Sequence, residues 1–111
     1  MDASKPIMPD GRTYHLQTRE GDIAPSCLLV GSPERAEMIA ATMFQDAAQV
    51  GDHRGLKSYT GHMEGVPISV VTTGMGSAST GIVLPEAAES GGKRFIRVGS
   101  CSTLWPNIQP G

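Results

Sequence analysis

Two short apolar runs that each end at a glycine constrain the fold of this chain more than any other feature. The first run covers residues 27–30 and is followed by Gly31, and the second covers residues 95–98 and is followed by Gly99. Continuous apolar runs of this length are typical of strands buried on both faces of a helix-covered sheet. A glycine with hydroxyls and a cation beside it is how α/β proteins build an anion pocket at strand ends. The two runs therefore predict an anion site.

The remaining segments predict a strand, helix, hairpin, helix, strand order. Ser32 and Pro33 suit the start of a helix, whose apolar stripe is predicted to be Ala36, Met38, Ile39, Ala40 and Met43. After a polar link at residues 51–54, two alternating segments at 57–63 and 67–73 predict a hairpin. Residues 77–90 predict a helix that kinks or breaks at Pro85. Residues 1–13 are predicted to form a loose arm. The order of the predicted strands and helices favours an α/β sheet flanked by helices.

Composition narrows the function classes. The chain has 111 residues, 39% apolar content and a net charge of −2, which suit one globular domain without the basic field that nucleic acid requires. No apolar run is long enough for a membrane span, and the N-terminus lacks a secretory pattern. Cys27 and Cys101 are predicted to be reduced, packed thiols. These features predict a cytoplasmic protein with no membrane or nucleic-acid partner, and the histidine spacing predicts no zinc site.

Two arginines are the candidate anion ligands. Arg35 lies in the first turn of the predicted helix, where the helix dipole adds to the charge of the guanidinium; a capped helix with a solvent-facing arginine is the alternative. Arg97 interrupts an apolar strand, and a buried charge is costly unless it is paired. The alternatives for Arg97 are a structural ion pair or a ligand, and Ser100 and its neighbours supply small polar groups where that ligand would lie.

Two further segments carry weaker signals. Residues 74–79 approximate a dinucleotide fingerprint, but the segment follows a hairpin rather than opening a βαβ unit. A tight turn that lets a ligand approach the backbone is therefore favoured over nicotinamide binding. His15 lies in an otherwise polar arm, and it could lend an imidazole to a site or simply pack the arm.

Taken together, the motifs resemble the uridine-phosphorylase-like branch of the hexameric nucleoside phosphorylases. The matching segments are residues 14–16, 29–35, 71–76 with Ser79, and 95–100, and His53 and Arg54 fall at the expected interval between the second and third segments. The match runs over residues 14–111 almost without interruption. It implies that residues 1–111 form the N-terminal portion of a single nucleoside phosphorylase domain, with a mixed central sheet and flanking helices.

The resemblance implies phosphorolysis, in which phosphate attacks the ribose C1′ of a nucleoside and releases the base and ribose 1-phosphate. Uridine is the expected substrate of this pentosyltransferase, inorganic phosphate is the co-substrate, and no cofactor or metal is expected. The implied phosphate ligands are Gly31, Arg35, Arg97, Ser100 and, from a neighbouring subunit, Arg54. The implied ribose contacts are Thr73, Met75 and a neighbour's His15, with Cys101 and Ser102 beside the base. Sites shared in this way imply a homo-oligomer of dimer units, up to a hexamer.

Three positions depart from the family pattern. Ser102 stands where glycine is usual and implies a tighter base pocket, and Ser32 replaces an aspartate of the phosphate loop. Gly55 stands where the uridine enzymes often carry glutamate. This difference argues against a monovalent-cation site at the dimer interface without deciding the question. Family members are also considerably longer, so the general acid and the ribose carboxylate are expected beyond Gly111. The glutamates at 64, 86 and 89 are not expected to replace that carboxylate.

Three alternatives remain open at this point. The chain could belong to a purine nucleoside phosphorylase, because the residues that would discriminate the base are expected beyond Gly111. A related nucleosidase would use water, although retention of Arg35, Arg54 and Arg97 argues against that reading. A third possibility, from another class, is a truncated, non-catalytic chain that binds phosphate or a partner subunit.

Overall fold

The computed structural model describes residues 3–110, which form a single mixed sheet with one helix on each face. In chain order the elements are β1 (Ser26–Val30), α1 (Pro33–Met43), β2 (Gln45–Gly51), a short 3-10 turn (His53–Gly55), β3 (Ser58–Met63), β4 (Val66–Thr72), α2 (Gly76–Glu89) and β5 (Arg94–Arg97). The strand order across the sheet is β2-β3-β4-β1-β5. β1 is parallel to β4 and β5, whereas β2, β3 and β4 are antiparallel neighbours. The predicted α/β class is confirmed.

The core lies in two layers because alternate residues of β1 face opposite sides of the sheet. Cys27 and Leu29 pack in a cluster with Val83 and Ala87 of α2. Val30 lies on the other face. It packs with Ala36, Ile39 and Ala40 of α1, with Phe44 just after this helix, and with Val70 of β4. A run that is apolar at every position thus satisfies both helices, as expected for a central strand.

The helix α1 begins as the sequence predicts. Ser32 has extended backbone angles, and its hydroxyl accepts a hydrogen bond from the backbone N–H of Arg35 at 3.3 Å. Pro33 follows at the first helical position, where its missing N–H leaves nothing unsatisfied. The predicted apolar stripe is only partly right, since Met38 and Met43 are each 52% exposed. The small residues of the stripe face the sheet, and the methionines lie beside it.

The helix α2 runs without interruption from Gly76 to Glu89 and contains Pro85. The helix is therefore not broken at Pro85, and the kink that was the other expectation stays a prediction. Pro85 lacks the N–H that would bond to the carbonyl of Gly81 four positions earlier, and its ring crowds that carbonyl, yet the helix continues for four more residues. Continuity of α2 matters for the site, because the two ends of this helix hold different groups of functional residues.

The predicted hairpin is confirmed as β3 and β4, joined at Glu64 and Gly65. Both residues have positive φ angles, 51° and 78°, which is the conformation of a type I′ turn. The register pairs Ser58 with Val71 and Met63 with Val66, so the hairpin is closed along its full length.

The sequence did not reveal β2, whose residues fall before the predicted polar link. Its first five residues, Gln45–Gln49, are exposed, and its pairing with β3 shifts register twice. Such a strand lies at the sheet edge with no buried face, so it carries no apolar alternation. The predicted loose arm also differs, because Ile7 and Thr13 form a β-bridge that closes residues 7–13 into a turn.

The opposite edge of the sheet is β5, which pairs on one side with β1. Ile96 is 65% exposed and Val98 is 43% exposed. Ile96 lies on the same face of the sheet as α1. This helix packs mainly over β3 and β4, so it leaves β5 uncovered. The β5 edge of the sheet is thus apolar within residues 3–110 and is not covered by a helix. Within residues 3–110, neither helix has the length and apolarity that crossing a membrane would take.

Candidate functional site

Three neighbouring parallel strands end at one edge of the sheet, which here means the edge formed by their carboxyl ends and not an outer strand. β4, β1 and β5 end at Thr72, Val30 and Arg97, and their register places these ends side by side. The loops that follow contain Gly31, the turn after Thr73, and the segment from Val98 onward. Open α/β sheets bind ligands outside the carboxyl ends of such strands. The sheet thereby brings together the predicted phosphate loop, the glycine turn and the segment after β5.

Backbone hydrogen bonds continue past the strands and fix these loops. The N–H of Thr73 donates to the carbonyl oxygen of Val30 at 2.8 Å, and the N–H of Val98 donates to the carbonyl of Leu29 at 2.9 Å. The hydroxyl of Ser79, in the first turn of α2, donates to the carbonyl of Thr73. The loop positions are therefore set by the sheet and by α2 rather than by a ligand.

Arg97 ends β5, the outermost of these three strands, and its environment differs from the one that the sequence predicts. The sequence placed its guanidinium in a buried strand, but β5 is an edge strand and Arg97 is exposed. No hydrogen bond or ion pair to its side chain occurs within the described chain. The predicted burial is wrong and the alternative of a structural ion pair is excluded within residues 3–110, so the guanidinium is available to an anion.

The Arg97 guanidinium packs against two glycines, and only at Gly99 would a side chain overlap it. A Cβ placed on Gly99 would overlap Nη1 of Arg97, and a Cβ placed on Gly31 would lie 3.9 Å from Nη2. The same position on Gly31 is 3.8 Å from the carbonyl oxygen of Gly74. The guanidinium therefore spans the gap between the end of β1 and the segment after β5, close to the glycine turn.

The N-terminus of α1 opens on the same edge directly after β1. Helix N-termini favour anions because their first N–H groups point outward and the dipole is positive there. Arg35 lies in this first turn, is partly exposed, and has no ion pair among residues 3–110. Glu34, also in the first turn, is exposed. The two arginines together make this edge suited to a dianion such as phosphate.

The other predicted ligands differ in how open they are. Met75 is 93% exposed beside the glycine turn. Thr73 is fully buried, and its hydroxyl lies 2.9 Å from the carbonyl of Gly74 and 3.2 Å from that of Val30. This arrangement gives Thr73 a bracing role at the strand ends, and its predicted ribose contact stays a prediction. Ser100 is exposed directly after β5.

Cys101 and Ser102 are exposed and line an open concavity of about 390 Å³ with Ile108 and Gln109. The predicted burial of Cys101 is wrong, because the chain leaves the sheet after Val98. Cys27 is buried as predicted, and burial raises the pKa of its thiol from 9.0 to about 12. Cys27 is thus a packing residue, and Cys101 is the thiol that faces the concavity.

Arg54 lies at the same edge but far from the other arginines. It sits in the 3-10 turn before β3, with a φ of 55°, exposed and without an ion pair within the described part of the chain. β3 begins beside the end of β4, because Ser58 pairs with Val71. Three strand spacings of about 4.8 Å separate β3 from β5, which makes roughly 14 Å. Arg54 thus precedes a strand that lies about 14 Å across the sheet from the strand of Arg97.

His15 is also away from this edge. Its Nδ1 lies 2.6 Å from Oε2 of Glu86, a buried residue of α2. Glu86 follows Gly76 by ten residues, which is about 15 Å along the helix axis from the glycine turn. His15 and Glu86 line a separate cleft of about 240 Å³, whose apolar wall includes Ile7, Ile82 and Pro85.

Sequence reasoning missed the role of Glu86. Val83, Glu86, Ala87 and Ser90 follow one another at helical spacing and are all buried. A carboxylate at a core-facing position of an otherwise apolar stripe is the signal that could have identified it, because a buried charge requires partners. Within residues 3–110, no group of three or more His, Cys, Asp or Glu side chains is placed to hold a metal ion.

The chain is similar to several known proteins. Residues 25–111 match the family model described as the phosphorylase superfamily. The chain is 40% identical over 109 residues to a uridine phosphorylase of Thermococcus kodakarensis, covering 98% of this chain and 39% of that protein. It is 42% identical over 98 residues to a DeoD-type purine nucleoside phosphorylase of Caldanaerobacter subterraneus, covering 87% of this chain and 42% of that protein.

A solved structure gives the same result for the fold. The nucleoside phosphorylase of Trypanosoma brucei, described as showing uridine phosphorylase activity, superposes with a TM-score of 0.71 at 35% identity. The superposition covers 78% of this chain and 27% of that one. The chain spans about two fifths of the length of the curated relatives it matches.

Proposed function

The chain belongs to the phosphorylase superfamily, and from that premise we propose that the protein catalyses phosphorolysis of a nucleoside, with this chain providing the phosphate site. The observation that carries the proposal is the position of Arg97. Its unpaired guanidinium lies over Gly31 and Gly99 where three parallel strands end. A cation without a protein partner, at a strand edge that also receives a helix N-terminus, suits a phosphate dianion.

In the proposed reaction, an oxygen of phosphate forms a bond to C1′ of the ribose as the C1′–N bond to the base breaks. The electron pair of that bond leaves with the base, which takes up a proton, and ribose 1-phosphate is the second product. Arg97 and Arg35 hold the phosphate from two sides, with contacts from Gly31 and Ser100. Their contribution is to fix the attacking oxygen in line, which needs no covalent nucleophile on the protein.

The substrate we propose is uridine, with purine nucleosides as the competing class. The relatives named above include both a uridine phosphorylase and a purine nucleoside phosphorylase. The concavity at Cys101 and Ser102 is the proposed base side, and Met75 with Thr73 the proposed ribose side. Inorganic phosphate is the co-substrate, and no cofactor enters the proposed reaction.

We also propose that the active form is a homo-oligomer that shares its sites, built from dimers and up to a hexamer. Arg54 precedes β3, which lies about 14 Å across the sheet from β5, and this separation favours a phosphate contact in a neighbouring subunit. His15 contacts Glu86, in the part of α2 that is far from the glycine turn. We therefore propose that its contact with ribose is also made in a neighbouring subunit's site. A cytoplasmic location is part of this proposal and is supported by the two free thiols, Cys27 and Cys101.

The experiment that tests the function measures base release from uridine and from inosine, with and without phosphate, for the full protein. Release that depends on phosphate and is faster with uridine supports the proposal. Release without phosphate would identify a hydrolase instead, and phosphate binding without turnover would identify a non-catalytic binding protein.

Arg97→Ala tests the residue assignment. Losing a charge-assisted contact of about 2–3 kcal/mol raises the KM for phosphate by about 30- to 100-fold, with little change in the KM for the nucleoside. Arg94→Ala is the matched control, because Arg94 is an exposed arginine of the same strand that contacts Ser26 at the opposite end. Equal effects of Arg97→Ala on both substrates would overturn the assignment.

A further inference from the structure

The side chain of Glu86 is buried on α2 and is fully engaged by a single short segment of the chain. Among residues 3–110 it is the only carboxylate, ammonium or guanidinium group that is buried. Its Oε1 accepts the backbone N–H groups of His15 at 2.7 Å and of Leu16 at 3.1 Å. Its Oε2 lies 2.6 Å from Nδ1 of His15. Among the described residues, every hydrogen bond to this buried carboxylate therefore comes from residues 15 and 16.

With Glu86 as an ionised carboxylate, these contacts determine which nitrogen of His15 carries the proton. An ionised carboxylate only accepts hydrogen bonds, and the two backbone N–H groups at Oε1 require an acceptor there. Oε2 of the same carboxylate then accepts from Nδ1–H. A neutral imidazole has one N–H, so Nε2 is left as a hydrogen-bond acceptor. No described residue bonds to Nε2, and His15 lines the cleft beside Ile82 and Pro85.

We propose that Glu86 is a positioning residue that holds His15 as its Nδ1–H tautomer and presents Nε2 as an acceptor for a ribose hydroxyl. The hydroxyl part rests on the proposed function, in which His15 serves a neighbouring subunit's site. The tautomer part rests only on the contacts above. Orientation and tautomer are fixed together, because the backbone and the ring of the same residue bind the two oxygens of one carboxylate.

If Glu86 served only as a brace for the turn at residues 15–16, the tautomer of His15 would not depend on whether glutamate or glutamine stands at position 86. Such a brace needs only an acceptor for the two backbone N–H groups, and glutamine at position 86 can supply it with its carbonyl oxygen. The amide N–H₂ of that glutamine would then face Nδ1 of His15 as a donor. Glu86→Gln therefore keeps the backbone contacts and reverses the tautomer to Nε2–H.

The test reads the tautomer directly in the full chain with ¹⁵N-labelled histidine. Spectra are recorded at a pH where the imidazole is neutral, and the signals of His15 are assigned by their loss in His15→Asn, which separates them from those of His53 and His62. We expect Nδ1 to show the shift of a protonated nitrogen and Nε2 that of an unprotonated one. The opposite assignment in the unmodified chain, or protonation of both nitrogens throughout, would overturn the proposal.

Two variants sharpen the result. Glu86→Gln is expected to exchange the two nitrogen signatures, whereas Glu89→Gln is expected to leave them unchanged. Glu89 is the matched control because it lies on the same helix but is exposed and pairs with Lys5 at 3.0 Å. Unchanged tautomer signals in a folded Glu86→Gln chain would show that Glu86 is only a brace. If that variant does not fold, the spectrum of the unmodified chain decides the matter alone.

A kinetic measurement addresses the hydroxyl separately. Glu86→Gln is expected to raise the KM for the nucleoside by about five- to tenfold, the value of one hydrogen bond, while the KM for phosphate is unchanged. Combining it with His15→Ala should add no further loss, because both changes remove the same contact. Additive losses would overturn the link between the two residues. If the protein has no phosphorolytic activity, the tautomer result stands by itself and the proposed function fails alone.

Discussion

A methyl group at position 99 should displace the Arg97 guanidinium without disturbing the fold. The three atoms nearest to a Cβ on Gly99 all belong to the guanidinium of Arg97, with Cζ at 3.2 Å and Nη1 overlapping it. None of these atoms is backbone, and φ at Gly99 lies outside the left-handed range. Gly99→Ala therefore pushes aside the movable end of one side chain, which is exposed and free to move.

The expected magnitudes for stability and for phosphate differ sharply. The free energy of unfolding should change by no more than about 0.5 kcal/mol, as for surface substitutions that strain nothing. A displaced guanidinium loses a charge-assisted hydrogen bond of about 1.5–3 kcal/mol, which corresponds to a rise of about 10- to 100-fold in the KM for phosphate. In an Arg97→Ala background the same substitution should have no effect on phosphate, since its target is gone.

The assay measures denaturant unfolding and steady-state kinetics for the single and double variants. Gly81→Ala is the control, because it is an exposed helical position where a Cβ meets nothing within 4 Å. It should raise stability by about 0.5–1 kcal/mol and leave the KM for phosphate unchanged. A Gly99→Ala effect on phosphate that persists without Arg97, or a large stability loss with normal phosphate kinetics, would refute the reasoning.

Two further predictions concern the core thiol and the shared site. Burial raises the pKa of Cys27 from 9.0 to about 12, so above pH 9 the unfolded thiol loses its proton before the folded one. Stability should then fall by about 1.4 kcal/mol per pH unit from pH 9 towards pH 12, and a denaturant series that shows the same slope for Cys27→Ala would contradict this. Subunits carrying Arg54→Ala and Arg35→Ala should be inactive alone and regain part of the activity when mixed, because some sites then keep both arginines; verified mixed oligomers without recovery would exclude the shared site.

Much of the fold was predictable because local chemistry and the final structure agree. The apolar run of β1, the hydroxyl of Ser32 and the Glu64-Gly65 turn each specify their own element. β2 was not predictable, since an exposed edge strand needs no apolar alternation, and its pairing with β3 is irregular. The exposure of Met38 and Met43 was not predictable, because an apolar residue at the margin of a helical stripe can lie either against the sheet or beside it.

The candidate site was predictable in its residues more than in their surroundings. The apolar run at 95–98 indicated a strand correctly but not whether that strand was central or at an edge, so the burial of Arg97 was misjudged. The contact between His15 and Glu86 joins residues 71 positions apart. Only the helical spacing of Glu86 among buried residues hinted that this carboxylate needed a partner.

The position of β1 in the middle of the sheet also has a consequence for how the chain folds. Ser26 of β1 pairs with Ile68 of β4 and with Arg94 of β5, so both partners are distant in sequence. The β3–β4 hairpin closes locally and can form within microseconds, whereas β1 must wait for a long loop to close. During synthesis, the strand that emerges first is therefore the last to gain neighbours on both sides. Until β5 arrives, its apolar residues stay partly exposed, which is the interval when binding by a chaperone would matter most.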